Sequence, residues 1–502
     1  MGSIVSLCTA LAEAQDDILE AVAGNAVVNS LLFNIVIAKA DAAEHSRSDA
    51  LACLMVLSED NLKLAERITS SKHSHVFETL LALKGEVSGD GVLACAILQN
   101  LFSSLQDEQS SANIDIPDTS VLIPTLSKTV AEITADSEKS KEDNWSNPVQ
   151  YQQLALEVLA SIGTSLNSAQ DDEPRDTPKQ NGKGAADEDD DDMAEADSDV
   201  EDEADVAGSD EDDEMDEDAM QADMDMVTGA DDDEDAGQGI DDLPVLKGLL
   251  QQALPEIIRV AFLPPRDEDS MKFQSLALSA LNNISWSVSM VDFNDEHNAG
   301  IRRAWSPVGK SIWQGVITPI LSSDTADVTL ATQVTGLAWA VARTLRSETP
   351  LKPGEHNKFI SLYQATRGSE ATKNDDDPFQ GLGVKCIGVL GQLALDRAPA
   401  SLNRDIGMFL VTLLASLPET PVADAVEALN QIFDIYGDEE FAYDREVFWK
   451  DNFLKHLEDL RPKARAMVKT VDKRTHAELR LRADEALLNL EQFIAYKNRH
   501  RP

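Results

Sequence analysis

One pattern of apolar positions recurs along most of the chain: a small residue, a Leu four positions later, and an aliphatic residue three after that. It stands at Ala50/Leu54/Leu57, Ala94/Leu98/Leu101, Ala155/Leu159/Ile162 and Ala277/Leu281/Ile284, with weaker copies at Gln333/Leu337/Ala340, Cys386/Leu390/Leu393 and Ala425/Leu429/Ile432. The i, i+4, i+7 spacing keeps all three residues on one face of a helix. Between copies lie shorter amphipathic stretches bounded by Pro, Gly or Asp, such as residues 121–133 and 359–365. The central Leu residues are 44, 61, 122, 56, 53 and 39 apart. Paired helices with a period of about 40–55 residues and small residues for close packing predict armadillo or HEAT repeats. Tetratricopeptide repeats would keep a stricter period of about 34, and ankyrin repeats a TPLH-type turn. The predicted fold is all-α, an α-solenoid superhelix of armadillo-like and HEAT-like repeats.

The repeated helix also predicts which positions line the concave face. Residues two past the central Leu point away from the core stripe: Val56, Asn100, Ser161, Asn283, Trp339, Gln392 and Gln431. Five are Asn, Ser or Gln, whose side chains have the groups to bond the backbone of an extended peptide. Importin-α-like armadillo arrays use Asn here and add a Trp four residues earlier, where this chain has Ala96 and Ser279. Trp286 follows Asn283 by three residues and Trp339 takes the ladder place itself, so apolar platforms stand in a different arrangement. Asn100, Ser161, Asn283, Trp286, Trp339, Gln392 and Gln431 are the candidates for a peptide groove.

Charge changes this picture. The 502 residues carry 91 Asp+Glu against 42 Lys+Arg, a formal net charge of −49, and only 5% aromatics. Holding nucleic acid by its phosphates needs Lys/Arg stripes, so direct nucleic-acid binding is not expected. No run approaches the roughly 18–20 apolar residues of a membrane span, and the given amino end shows no basic-then-apolar pattern, so neither a span nor a signal peptide is expected. Residues 187–242 hold 30 Asp/Glu and no Lys or Arg, three-fifths of the net charge, and no aromatic occurs between Tyr151 and Phe262. Such a segment buries too little apolar surface to offset its ordering entropy and is expected to be disordered when free. It reads either as a solvating linker or as a polyanion that shields a basic partner. Interspersed Met residues favour the second, because Met220 and Met224 share one side of a short helix with carboxylates opposite. The shielding candidates are Glu211, Asp212, Asp213, Glu214, Asp216, Glu217, Asp218, Met220, Asp223, Met224 and Asp225.

Signs of catalysis or cofactors are lacking. No GxSxG, Walker loop, HExxH or GxGxxG is present. Asp231, Asp233 and Asp235 have EF-hand spacing, but Ala236 replaces the turn Gly and Asp242 the bidentate Glu. Four scattered cysteines (Cys8, Cys53, Cys95, Cys386) read as buried core thiols, and His73/His75 as a surface pair. Residues 461–501 invert the charge, with eleven Lys/Arg against five acids. This end reads as a capping helix with a solvated face, or as a patch that docks the acidic insertion in cis.

The strings LSEDNLKLAERI (57–68), ALSALNNISWSVS (277–289), LATQVTGLAWAVAR (330–343) and FISLYQATRG (359–368), with the acidic insertion before DDLPVLKGLL (241–250), closely resemble the symportin family. The resemblance covers nearly the whole chain. It implies mixed armadillo/HEAT solenoids that bind two 5S-rRNA-binding large-subunit ribosomal proteins, five and eleven in yeast naming. Such proteins carry the pair into the nucleus with a transportin-type karyopherin and hand them to the 5S particle. One cargo offers an extended terminal peptide to the groove, and the other is associated with the acidic insertion and the carboxyl-terminal repeats. Family members begin with a basic Pro-Tyr-type import signal and further repeats, whereas this chain opens MGSIVSLCTALAEA, inside a repeat, and is expected to be amino-terminally truncated.

The expected organisation is armadillo-like repeats over 1–167, an acidic disordered insertion over 168–242, and HEAT-like repeats with a basic terminal helix over 243–502. The expected protein is a monomeric, non-catalytic import adaptor and chaperone for ribosomal proteins, shuttling between cytoplasm and nucleus. A karyopherin in its own right and an acidic histone chaperone are the alternatives.

Overall fold

The computed structural model describes residues 2–38, 44–107, 117–134, 145, 147–166, 240–323, 327–367 and 377–502. The acidic shielding candidates, the Met220/Met224 helix and the EF-hand spacing lie outside them. Every regular element among the described residues is helical. In chain order these are α1 (Gly2–Ala12), α2 (Asp16–Gly24), α3 (Ala26–Ile37), α4 (Glu44–Ser58), α5 (Leu62–Thr69), α6 (Ser74–Leu83), α7 (Gly89–Asp107), α8 (Ile123–Ala131) and α9 (Pro148–Ser165). After the insertion, α10 runs through Pro244–Gly248, a π turn at Leu249–Ala253 and Leu254–Ala261, and α11 follows (Glu268–Ser289). Next come α12 (Ala299–Ile312, continued by a π turn Trp313–Ile317 and Thr318–Ser322), α13 (Val328–Leu345) and α14 (His356–Thr366). The chain ends with α15 (Leu382–Leu393), α16 (Ala400–Ala415), α17 (Val422–Tyr436), a π turn at Asp444–Trp449, α18 (Phe453–Thr470) and α19 (Ala477–Arg499).

Local chemistry sets many of these boundaries. Asn25 accepts from the backbone N–H of Val27 and Val28 to start α3, and Asn147 caps α9 with Pro148 in its first turn. Asp267 and Ser270 form a reciprocal capping box at α11, and Asp327 starts α13. The π turns in α10 and α12 lie just ahead of Pro255 and Pro319, whose missing N–H breaks the α ladder; the helices absorb the break by widening one turn.

The recurring triads build one stack. Helices α1, α4, α7, α9, α11, α13, α15, α17 and α19 pack each on the next as an inner layer, backed by α3, α6, α8, α10, α12, α14, α16 and α18. All seven central Leu residues are at most 1% exposed, and Ala50, Ala94, Ala155, Ala277, Cys386 and Ala425 are fully buried. The protein is thus an α-solenoid, as the periodicity predicts. Cys53, Cys95 and Cys386 are free core thiols. Burial pushes the Cys95 thiol up to about 12 and Cys386 higher still, which makes both unreactive. No single described helix is long and apolar enough to cross a membrane.

The stack continues across the insertion. The described residues on either side of the insertion form one compact unit. Helix α9 lies so close to α11 that a methyl group on Gly163 would fall 2.5 Å from Ile284. Ser287 donates to the Gly163 carbonyl at 2.7 Å. Arg259 of α10 donates to the carbonyls of Val130, Ala131 and Ile133, closing the open end of α8. The described residues before and after the insertion therefore share one hydrophobic core.

Candidate functional site: the inner helix face

The ladder positions differ in what they offer. Asn100 donates from its amide to the Met55 carbonyl (3.1 Å) and Ser58 Oγ (3.2 Å) at the end of α4. Asn283 does the same two junctions further on, to the Ala160 carbonyl (3.3 Å) and Thr164 Oγ1 (3.1 Å) of α9. Both amides tie one repeat to its predecessor, so donors expected to meet a peptide bond neighbouring helices. Ser161 is exposed, and Val56 and Gln392 are half-buried. Gln431 departs from the expectation: it is 4% exposed, and its amide donates to Glu427 Oε1 at 2.7 Å. The reason is the glycine spacing of α15. A methyl on Gly391 would fall 1.7 Å from Gln431 Oε1, so α17 settles onto α15 and takes Gln431 into the contact.

The two tryptophans do come together. Trp286 of α11 and Trp339 of α13 meet edge to face, with ring centroids 5.3 Å apart and planes at 77°. Trp339 lies over α15, where a methyl on Gly388 would be 2.3 Å from its ring. Both rings stay half-exposed, giving the inner face an apolar platform.

Charged groups that the ladder rule missed lie on α17 and in a cleft beside α9. On α17, burial pushes Glu427 up to about 7 and Asp424 up to about 6; bonds from Gln431 and Tyr363 respectively work against the rise. Burial also raises Asp434, with Arg343 of α13 opposing it. Near the other end, a 480 Å³ cleft across α4, α9 and α11 is lined by Asp49, Met55, Gln153, Glu157 and Lys272, among others. The signal was present in the chain: Glu157 and Glu427 stand four residues before Ser161 and Gln431, where importin-α-like arrays place Trp. Glu157 is exposed beside the cleft, whereas Glu427 is held against Gln431 and raised by burial.

The basic carboxyl end is largely committed to the cap of the stack. Lys497 is fully buried against Asp444, Arg465 pairs with Glu491, Arg480 with Asp484 and Arg482 with Glu478. Arg482 also lies 4.3 Å over the Phe379 ring. His75 is exposed and pairs with Glu78, whereas His73 is half-buried against Phe33. Among the described residues, no group of three or more metal-ligating side chains assembles.

Residues 268–501 match the family model described as SYO1-like, TPR repeats. Over its full length the chain is 46% identical to Symportin 1 of Chaetomium thermophilum, covering 77% of that protein. It is 31% identical over 53% of its length to a Schizosaccharomyces pombe protein named "Armadillo repeat protein involved in nucleocytoplasmic transport Syo2", covering 41% of it. Synchronized import protein 1 of Saccharomyces cerevisiae is 26% identical over 45% of this chain and is covered to 35%.

Proposed function

The chain belongs to the symportin family, and on that footing we propose that it is a non-catalytic adaptor in nucleocytoplasmic transport, moving between cytoplasm and nucleus. Its proposed cargoes are two basic large-subunit ribosomal proteins of the 5S particle, five and eleven in yeast naming. It shields their rRNA-binding surfaces and supports their joint import, with a transportin-type karyopherin as carrier, and their delivery to the 5S particle.

The observation that carries this reading is the placing of charge. Thirty carboxylates without one Lys or Arg occupy residues 187–242, inserted between helices that pack as one solenoid. Ribosomal proteins expose surfaces built for a polyanion, and free copies bind any polyanion and aggregate. A tethered acidic strand covers such a surface at high effective concentration once the solenoid holds another part of the cargo. On this reading Ser161, Gln392, Trp286 and Trp339 contact an extended cargo peptide. Asn100 and Asn283 retain their amide oxygens for it, while their N–H groups hold the stack.

Deleting residues 187–242 and titrating purified cargo at several salt concentrations tests the division of labour. The expected result is weaker binding and a shallower salt dependence, with the peptide contribution persisting. Unchanged affinity and salt slope would refute it. A lysate pull-down separates the alternatives: capture of Ran-GTP or of core histones in place of 5S-binding ribosomal proteins would redirect the assignment.

A further inference from the structure

A pocket of about 240 Å³ opens where the chain leaves α9 and re-enters at α10. Its walls are apolar and already buried: Ile162, Leu246, Val288 and Ile301 are each under 8% exposed. The lip carries Leu243, 38% exposed, and the half-buried Val291. A cavity of about 150 Å³ already admits a benzene ring, so this volume suits one bulky side chain and is too small for a folded element. Its rim is acidic. Asp118 and Asp242 line the mouth and are exposed, and neighbouring Asp241 is held by Lys247 at 2.5 Å. The nearby cation Arg302 is committed to Glu348 at 3.0 Å. Asp242 is also the last acid of the 187–242 tract, so the pocket sits at the carboxyl-terminal end of that tract.

We infer that this pocket anchors a basic partner segment by a single bulky apolar side chain, Leu, Met or Phe, flanked by Lys or Arg. The inference rests on the proposed shielding of a basic cargo and adds what charge alone lacks, a fixed point. A polyanion holds a basic surface without register, because screened charges attract over many geometries. One buried side chain at the root of the tract sets where the cargo sits, and its contribution survives salt. Rim carboxylates then select cations beside the anchor.

The probe is a fluorescein-labelled Lys/Arg peptide with one central Leu, compared with the same peptide carrying Ser there, titrated against the full chain by fluorescence anisotropy. Burial of one Leu predicts tighter binding of the Leu peptide by about tenfold or more. Val291→Trp, which plugs the mouth, and Leu243→Ser, which removes the lip, are each expected to cut that preference below about threefold. Affinity for the Ser peptide should stay unchanged. Circular dichroism checks that the variants fold, and the two-peptide comparison on the unaltered chain stands without them. Equal affinities for the two peptides, or a preference that survives Val291→Trp, overturn the pocket while leaving the charge reading intact. Binding of neither peptide overturns both. A Leu preference that emerges only after deletion of 187–242 means that the chain fills the pocket itself, which also overturns the assignment.

Discussion

Lys497 is fully buried at the carboxyl-terminal end of the stack, with its ammonium 2.8 Å from Asp444, itself 2% exposed. Glu439 stands 3.7 Å away, and the Phe448, Tyr496 and Phe493 rings surround the charge at 5.3, 5.7 and 5.9 Å. Two unit charges at this separation attract by about 6 kcal/mol at an effective dielectric constant of about 20. Removing both from water costs several kcal/mol, so the intact pair contributes little net stability. Removing one partner is different, because Lys497→Met leaves Asp444 buried without its cation and Asp444→Leu leaves Lys497 only Glu439 at 3.7 Å. Lys497→Met and Asp444→Leu should therefore each destabilise the terminal repeats by about 3–5 kcal/mol. The double variant should recover most of that loss. End repeats of a solenoid open locally, so the suitable assay is hydrogen exchange of α18 and α19 amides. A loss of about 3 kcal/mol is a fall in protection of more than a hundredfold for each single variant. Additive losses in the double variant would refute the reasoning, since they would show two independent packing defects and no coupled pair.

Arg259→Met removes three bonds to the end of α8 and should lower stability by about 1.5–3 kcal/mol, read by urea unfolding; no change would mean that the α8–α10 contact does not depend on it. Gly388→Val drives a side chain into the Trp339 ring and should cost about 1–3 kcal/mol with a shift in tryptophan fluorescence, whereas an unchanged spectrum would contradict the close approach. Glu427, raised to about 7 by burial, predicts a pH dependence. The folded state keeps its proton where the unfolded chain has lost it, so this group's contribution to stability falls as pH rises from about 4.5 to about 7. Glu427→Gln should make the melting temperature at pH 8 approach that at pH 6 relative to the parent chain; identical pH profiles would show that the carboxyl is solvated.

The architecture was legible because its cause is local. A small residue, a Leu and an aliphatic at i, i+4 and i+7 describe one buried stripe, and each central Leu occupies it. What the ladder residues bond was not legible. The amides of Asn100 and Asn283 are engaged by the preceding helix, and that of Gln431 by Glu427 of its own helix. That outcome depends on how closely successive helices approach. The approach is set by glycines on the adjacent helix, such as Gly391 under Gln431, which a single-helix period does not report. The carboxylates of α17 escaped notice for a related reason: in a chain so rich in acid, their positions stand out only once burial separates them from the solvated ones.

Leu166 and Asp242, the shoulders of the long insertion, line the same pocket, and the helices on either side carry one another's packing. The stack therefore does not need the covalent connection between them. A protease cut within residues 173–236 should leave two fragments that co-elute as one particle. Among relatives, the insertion is free to lengthen or shorten with little penalty, because closing a loop whose ends already meet costs only slightly more as it grows.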